Sequence, residues 1–200
     1  MHKYSKKDSL KKTEKEPDWD KRYREGFYKD ALEPHELLVK YWQMIPEGYV
    51  IDIAMGYGRD ANFLASKGYH IIGIERSIEA IRLFKKTFKN INDNITCILG
   101  DANYLPFKNE SVGGIIVFYF LLRNIMGQLK DILKKGGIII YETYLKRQNE
   151  IDRWRNPAYL LEDRELFGYF KDFEILLYDE LITEKEGKKK AIARLVGKKT

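Results

Sequence analysis

The sequence predicts an α/β domain: a seven-stranded, mostly parallel sheet with helices on both faces, closed by a C-terminal antiparallel hairpin. Three observations carry that expectation. Between residues 49 and 144, short apolar runs rich in Ile, Val and Tyr alternate with amphipathic stretches of helix length, as in βαβ units joined by right-handed crossovers. The stretch IDIAMGYGRDANFL (51–64) passes from an apolar run through Gly56 and Gly58 into a helical pattern. Such a turn brings ligands to the carboxyl edge of a parallel sheet. Finally, the strand-like runs 173–182 and 191–197 are separated only by TEKEGKKK, so they are expected to pair antiparallel.

The elements follow in chain order. Residues 1–16 hold six lysines and few apolar side chains, too little to offset ordering entropy, so a disordered Lys-rich tail is expected, followed by one domain over 17–200. WDKRYREGFYKDALEPHELLVKYWQMIP reads as two helical pieces. The second begins near Pro34, places Leu37, Leu38, Tyr41, Trp42 and Ile45 on one face, and is ended by Pro46 and Gly48. Strand 49–54 leads to helix RDANFLASKG, ended by Gly68, and strand 69–75 to a helix capped by Ser77. The third strand is ITCILG and the fourth VGGIIVFYF (112–120). RNIMGQLKDILKKGG reads as a helix with Gly136 beyond its end, before the fifth strand IIIYETY.

Composition narrows the function classes. With 200 residues, 44% of them hydrophobic, the chain can bury one substantial core but not two. No apolar run approaches the roughly 18–20 residues that span a bilayer, and the start lacks a signal-peptide core, so a soluble cytoplasmic protein without membrane contact is expected. Cys97 is the only cysteine, which excludes an intramolecular disulfide; its apolar setting predicts a buried, inert thiol. His2, His35 and His70 show no metal-ligand spacing, so no metal site is expected. The net charge of +6 is concentrated at the two ends, leaving the body slightly acidic. Nucleic-acid contact through the basic termini is therefore a secondary expectation.

Two ligands suit the glycine turn. Gly56-x-Gly58-x-x-Ala61 satisfies the dinucleotide fingerprint, and Glu75 ends the next strand, where it could hold a ribose. Against a dinucleotide stand the lack of room for a second substrate domain, the lack of an evident hydride-transfer partner, and the closing hairpin. The alternative is S-adenosylmethionine (SAM).

VIDIAMGYGRDANFL resembles the glycine-rich motif of class I SAM-dependent methyltransferases, with Asp52, Ala54, Gly56 and Gly58 at its acidic, small and glycine positions. The resemblance continues through Glu75, LGDANYLPF, VFYFLLR, LKDILKKGGIIIYETY and the terminal hairpin, about residues 17–200 in all. WDKRYREG, GYGRDA and the small size are similar to the branch of tellurite-resistance and thiopurine-type methyltransferases. This resemblance implies a Rossmann-like fold, SAM as cofactor and S-adenosylhomocysteine (SAH) as product. It implies that Trp19 and Tyr23 cover the cofactor, Asp52 orients the glycine loop, and Arg59 lies near the amino-acid end. Glu75 would hold the ribose and Asp101 the adenine amine, with Arg76, Ala102 and Phe118 also lining the site. The chain departs from the family at Ala54, Met55, Glu75 and Gly113-Gly114, where glycine, cysteine, aspartate and an acidic residue are commoner.

Methyl transfer from a sulfonium needs alignment more than a catalytic triad, so no catalytic residue is assigned. Tyr119, Arg123, Tyr144 and Tyr159 are candidates for the acceptor pocket, with Trp154, Arg155 and Asn156 nearby in sequence. Aromatic faces suit a sulfonium or a flat substrate, and Arg suits an anion. The same residues also read as core or solvated loop: Phe118, Tyr119 and Phe120 in the first case, Arg153 and Arg155 in the second. The Asn/Asp-Pro-Pro-aromatic signature of amino-methylating enzymes is absent after the fourth strand, where VFYF stands. The expected function is methyl transfer to a small molecule by a monomer or homodimer. RNA or protein methylation, SAM binding without turnover, and nucleotide-dependent oxidoreduction are the alternatives.

Overall fold

The computed structural model describes residues 17–28, 32–88, 93–152, 155–185 and 187–200. The Lys-rich start, the pocket candidate Trp154 and the expected loop residue Arg153 lie outside the described residues. Strands β1 (Tyr49–Ile53), β2 (His70–Glu75), β3 (Ile95–Leu99), β4 (Val112–Phe118), β5 (Leu133–Tyr144), β6 (Glu174–Lys185) and β7 (Lys188–Lys198) form one sheet in the order β3-β2-β1-β4-β5-β7-β6. The first five are parallel; β7 inserts antiparallel between β5 and β6. Six α-helices accompany the sheet among the described residues: α1 (Trp19–Arg24), α2 (Glu36–Tyr41), α3 (Arg59–Ser66), α4 (Ile78–Thr87), α5 (Met126–Ile132) and α6 (Glu165–Tyr169).

Strand periodicity divides the core in two. Ile51, Ile53, Ile115, Val117 and Ile139 face α5 and α6, where Leu129, Ile132 and Leu166 are buried. Val50, Ile116, Ile138 and Ile140 face the other way, against Leu37, Leu38, Leu64 and Phe84 of α2, α3 and α4. Both faces of the central strands are therefore covered, which is why these strands read as continuous apolar runs.

Two boundaries differ from the sequence reading. The helix expected over residues 123–137 is a 3-10 turn (Arg123–Ile125) followed by α5, and Leu133 already pairs with Val112. Gly136, with φ 74°, lies in a bulge between the Val112–Leu133 and Gly114–Ile138 pairs rather than beyond a helix. Its N–H donates to Lys199 O (2.8 Å), so the chain end satisfies the bulge. The terminal hairpin is longer than its apolar pattern suggests, with Lys185 opposite Lys188 and Gly187 in the turn at φ 73°. Past the core, opposed charges such as Glu184 and Lys189 replace apolar alternation in the ladder.

Candidate active site

The site is built where β1 and β2 end. Ala54, Gly56 and Gly58 all adopt left-handed backbone, with φ 55°, 61° and 75°, a conformation that glycine enters freely and alanine does not. The Gly56 N–H donates to Glu75 Oε2 and the Ser77 N–H to Glu75 Oε1, both at 2.8 Å. Glu75 thus fastens the glycine turn to the start of α4. Burial raises its carboxyl above the usual range despite these bonds. A Cβ on Gly58 would lie 2.6 Å from the Phe84 ring, and one on Gly56 would lie 2.8 Å from Tyr23 Oη.

Tyr23 arrives on α1, which is docked over the start of α4. Asp18 caps α1 by accepting from Lys21 N (2.9 Å). Asp20 Oδ1 accepts from Ser77 Oγ (2.6 Å) and Glu79 N (3.3 Å), while Ser77 Oγ accepts from Ala80 N. Trp19 is half-buried, with the Arg22 guanidinium over its ring at 5.1 Å.

Asp52 is buried at the end of β1. Burial, then the neighbouring Asp60 and Glu75 carboxyls, hold its carboxyl well above the usual range. Its Oδ2 has no hydrogen-bond partner among the described residues. A buried acid with an unpartnered oxygen beside two further carboxyls calls for a cation. The cradle therefore fits SAM, which carries an ammonium and a sulfonium. It suits the pyrophosphate of a dinucleotide poorly, since an acid with an unpartnered oxygen disfavours a second anion.

The rest of the expected cofactor wall lies around the same edge. Arg76 is exposed beside Glu75. Asp101 Oδ1 accepts from Asn103 N and Nδ2, both at 2.9 Å, and these bonds hold its carboxyl below the usual range. Ala102 is buried next to it. Phe118 ends β4 and stacks on His35, with ring centroids 4.1 Å apart and planes 7° from parallel.

Of the acceptor-pocket candidates, Tyr119 and Tyr144 meet, with centroids 4.8 Å apart. Tyr119 is held at φ 53°, a costly conformation for a bulky residue and a mark of functional edges. Its hydroxyl accepts from Lys190 Nζ (3.2 Å), burial and then the nearby Glu142 carboxylate raise its pKa, and Glu142 accepts from Arg194 Nε (2.8 Å). Arg155 lies over the Tyr144 ring at 4.4 Å. Arg123 and Tyr159 are not brought into this cluster. Arg123 donates to both Glu165 oxygens and to the carbonyls of Ala158 and Leu160, and Tyr159 is exposed on a 3-10 turn. Asn156 caps that turn by accepting from Ala158 N.

Sequence reasoning missed His35, Asp60, Glu142 and Lys190. Lys190 sits at the start of an antiparallel strand, which returns it to the carboxyl edge of the parallel ones; only the topology reveals that. Among the described residues no group of three or more His, Cys, Asp or Glu could hold a metal ion, and no helix is long and apolar enough to cross a membrane.

Residues 50–137 match the family described as "Methyltransferase domain". A probable S-adenosyl-L-methionine-dependent methyltransferase, TehB of Haemophilus influenzae, is 25% identical over 141 residues, which cover 68% of this chain and 49% of TehB. The chain thus spans about half the length of that curated relative. A protein-L-isoaspartate O-methyltransferase of Pelodictyon phaeoclathratiforme is 25% identical over 131 residues, covering 61% of this chain and 59% of that protein. The crystal structure of H. influenzae TehB shares the fold with a TM-score of 0.72 at 22% identity, over 91% of this chain and 67% of that one. A SAM-dependent methyltransferase from Aquifex aeolicus does so at 0.65 and 15% identity, over 89% and 97%. The match over residues 50–137 and the shared fold make this chain similar to SAM-dependent methyltransferases, TehB among them.

Proposed function

We propose that the protein transfers a methyl group from SAM to a small-molecule acceptor. The observation that carries the reading is the buried Asp52 carboxyl, its Oδ2 unpartnered, beside the left-handed glycine turn that Glu75 fastens. When bound, SAM supplies a methyl group already activated on sulfur. The chain's own residues bind, align and exclude water. Gly56 and Gly58 hold the left-handed turn, with Tyr23 and Phe84 packed where a Cβ would lie, Asp52 offers charge to a cationic end, and Glu75 offers its carboxylate to ribose hydroxyls. Tyr23 and α1 cover the turn. Tyr119, Tyr144 and Lys190 wall the acceptor side with packed aromatic and cationic groups. A cytoplasmic monomer or homodimer fits this reading.

Calorimetric titration with SAM, SAH and NADH in parallel tests it. Micromolar binding of both adenosyl ligands and none of NADH is expected; binding of NADH alone would return the turn to a dinucleotide. SAH release should then follow addition of small-molecule acceptor pools. Release only with RNA or protein would reassign the acceptor class.

A further inference from the structure

Lys190 lies just past the carboxyl end of β5, whose last residue, Tyr144, pairs with Ile192 of β7. Its Nζ donates to Tyr119 Oη at 3.2 Å and stands 4.6 Å from the centre of that ring. The carboxylates around it are taken by other cations. Glu142 is buried and accepts from Arg194 Nε at 2.8 Å. Asp152 lies 3.2 Å from Arg155 Nη2, Glu36 lies 3.3 Å from Lys185 Nζ, and Asp60 lies 3.8 Å from Arg59 Nε. Among the described residues Lys190 makes no ion pair, and a phenol is its polar partner. Burial first, and then Arg59, Arg155 and Lys185 within electrostatic range, hold its ammonium below the usual lysine range against the pull of Glu142. A half-buried ammonium among cations, with no carboxylate of its own, favours an anion from outside the chain.

The neighbouring walls narrow the kind of anion. The Tyr119 and Tyr144 rings meet at 4.8 Å and the Tyr23 and Tyr28 rings at 4.9 Å, with Tyr28 in electrostatic range of Tyr144. Tyrosines thus run from the glycine turn, where Tyr23 covers Gly56, to Lys190. An inorganic anion loses water at a half-buried ammonium and gains nothing from aromatic walls, whereas an aromatic acid recovers that cost through ring contacts. One uncompensated positive charge also matches a carboxylate better than a dianion.

We propose that Lys190 is the recognition point for a carboxylate on an aromatic acceptor, which makes the acceptor class of the methyl transfer a small aryl acid. The proposal rests on the methyl-transfer reading above and concerns binding alone, with no bond-making step assigned to Lys190.

The test titrates benzoate and its neutral isostere benzamide into the full chain saturated with SAH. Benzoate should bind about ten-fold more tightly, the scale of one charge-assisted hydrogen bond. Lys190→Met should bring benzoate to the level of benzamide and leave benzamide and SAH within about two-fold. Lys190→Arg keeps the charge and should recover part of the preference. Lys190→Gln carries the same arm if the methionine variant fails to fold. The ammonium itself supplies a readout that packing alone would not move. Followed by NMR through the Lys190 ε-methylene, it should titrate at higher pH with benzoate bound than with benzamide, because a bound anion favours the charged form. Equal binding of benzoate and benzamide, binding of neither, or sulfate binding as tightly as benzoate would overturn the proposal while leaving the methyl-donor reading intact. A loss of SAH affinity in Lys190→Met equal to the loss for benzoate would set Lys190 against the donor and overturn it too. Failure of the original protein to bind SAH would sink the methyl-donor reading, and with it the acceptor class; a benzoate preference kept in the SAH-free chain would still locate the carboxylate at Lys190.

Discussion

Ala54 occupies a left-handed position that a glycine would hold without strain, so the departure from the family motif at this residue has an energetic cost. An L-residue there costs about 1–2 kcal/mol, partly offset because alanine leaves the unfolded chain less entropy to lose. Ala54→Gly should therefore stabilise slightly, by about 0.5 kcal/mol. Gly58→Ala should do the reverse and cost about 2 kcal/mol, because its Cβ would press on Phe84. Thermal melts of the two variants should shift in opposite directions. Asp52 gives a pH signature. Its carboxyl is raised in the folded protein by burial and by Asp60 and Glu75, so above about pH 4 the unfolded chain binds fewer protons than the native one. Stability from this group is thus present at low pH and lost as pH rises through the raised native value. In ligand-free protein, the melting-temperature advantage of Asp52→Asn over the original should grow from about pH 4 to pH 8, while SAH affinity falls. A disadvantage at neutral pH would mean that Asp52 is ionised and paired. Asp52, Gly56, Gly58 and Glu75 were legible in the sequence because they sit in one strand-turn-helix unit and the strand beside it. His35 and Asp60, 25 positions apart, were not; no local pattern joins them.

Two elements depend on polar clamps rather than apolar packing. Helix α1 has no buried residue. Asp20 on Ser77 and Glu79, with Tyr23 over Gly56, ties it to the site. Asp20→Ala should free α1 while leaving the sheet intact, read as faster amide exchange over residues 19–24 without change in β1 or β4. Unaltered exchange in α1 would show that apolar contacts suffice. The 3-10 turn at Arg123 is clamped to α6 and the segment before it through Glu165, Ala158 and Leu160. Arg123→Ala should lower stability by about 2 kcal/mol, removing the two-point ion pair with Glu165 and the bonds to two carbonyls, with SAH affinity unchanged. A lost affinity with an unchanged melt would return Arg123 to the binding site. Strand existence and order were readable because both faces are buried and apolar. Boundaries were not readable where polar pairing extends an element, as at Glu184 and Lys189, or where the chain end completes a bulge, as at Gly136.

At the scale of the whole molecule, the cradle sits where β2 and β1 end, the second and third strands of the sheet order, and β1 separates β2 from β4. The glycine turn is continuous with the strand carrying Val50, Ile51 and Ile53, all fully buried. Occupying it should therefore stabilise the global fold and not merely a loop. The carboxyls of Asp52 and Glu75, raised by burial, work against the empty fold at neutral pH, so a cationic ligand relieves a cost borne by the whole domain. At a free ligand concentration a hundredfold above Kd, binding to the native state alone contributes about 2.7 kcal/mol. For a chain of 200 residues that is a rise in Tm of about 5–10 °C. SAM and SAH should both produce it, growing with concentration, with a single cooperative transition throughout. The rise should be larger at pH 8 than at pH 5, because the cation is best repaid where the carboxyls would otherwise ionise unpaired. NADH should leave the melt unmoved. A second, unshifted transition in the presence of SAH would mean that the sheet's antiparallel edge, β7 and β6, melts apart from the strands that hold the ligand.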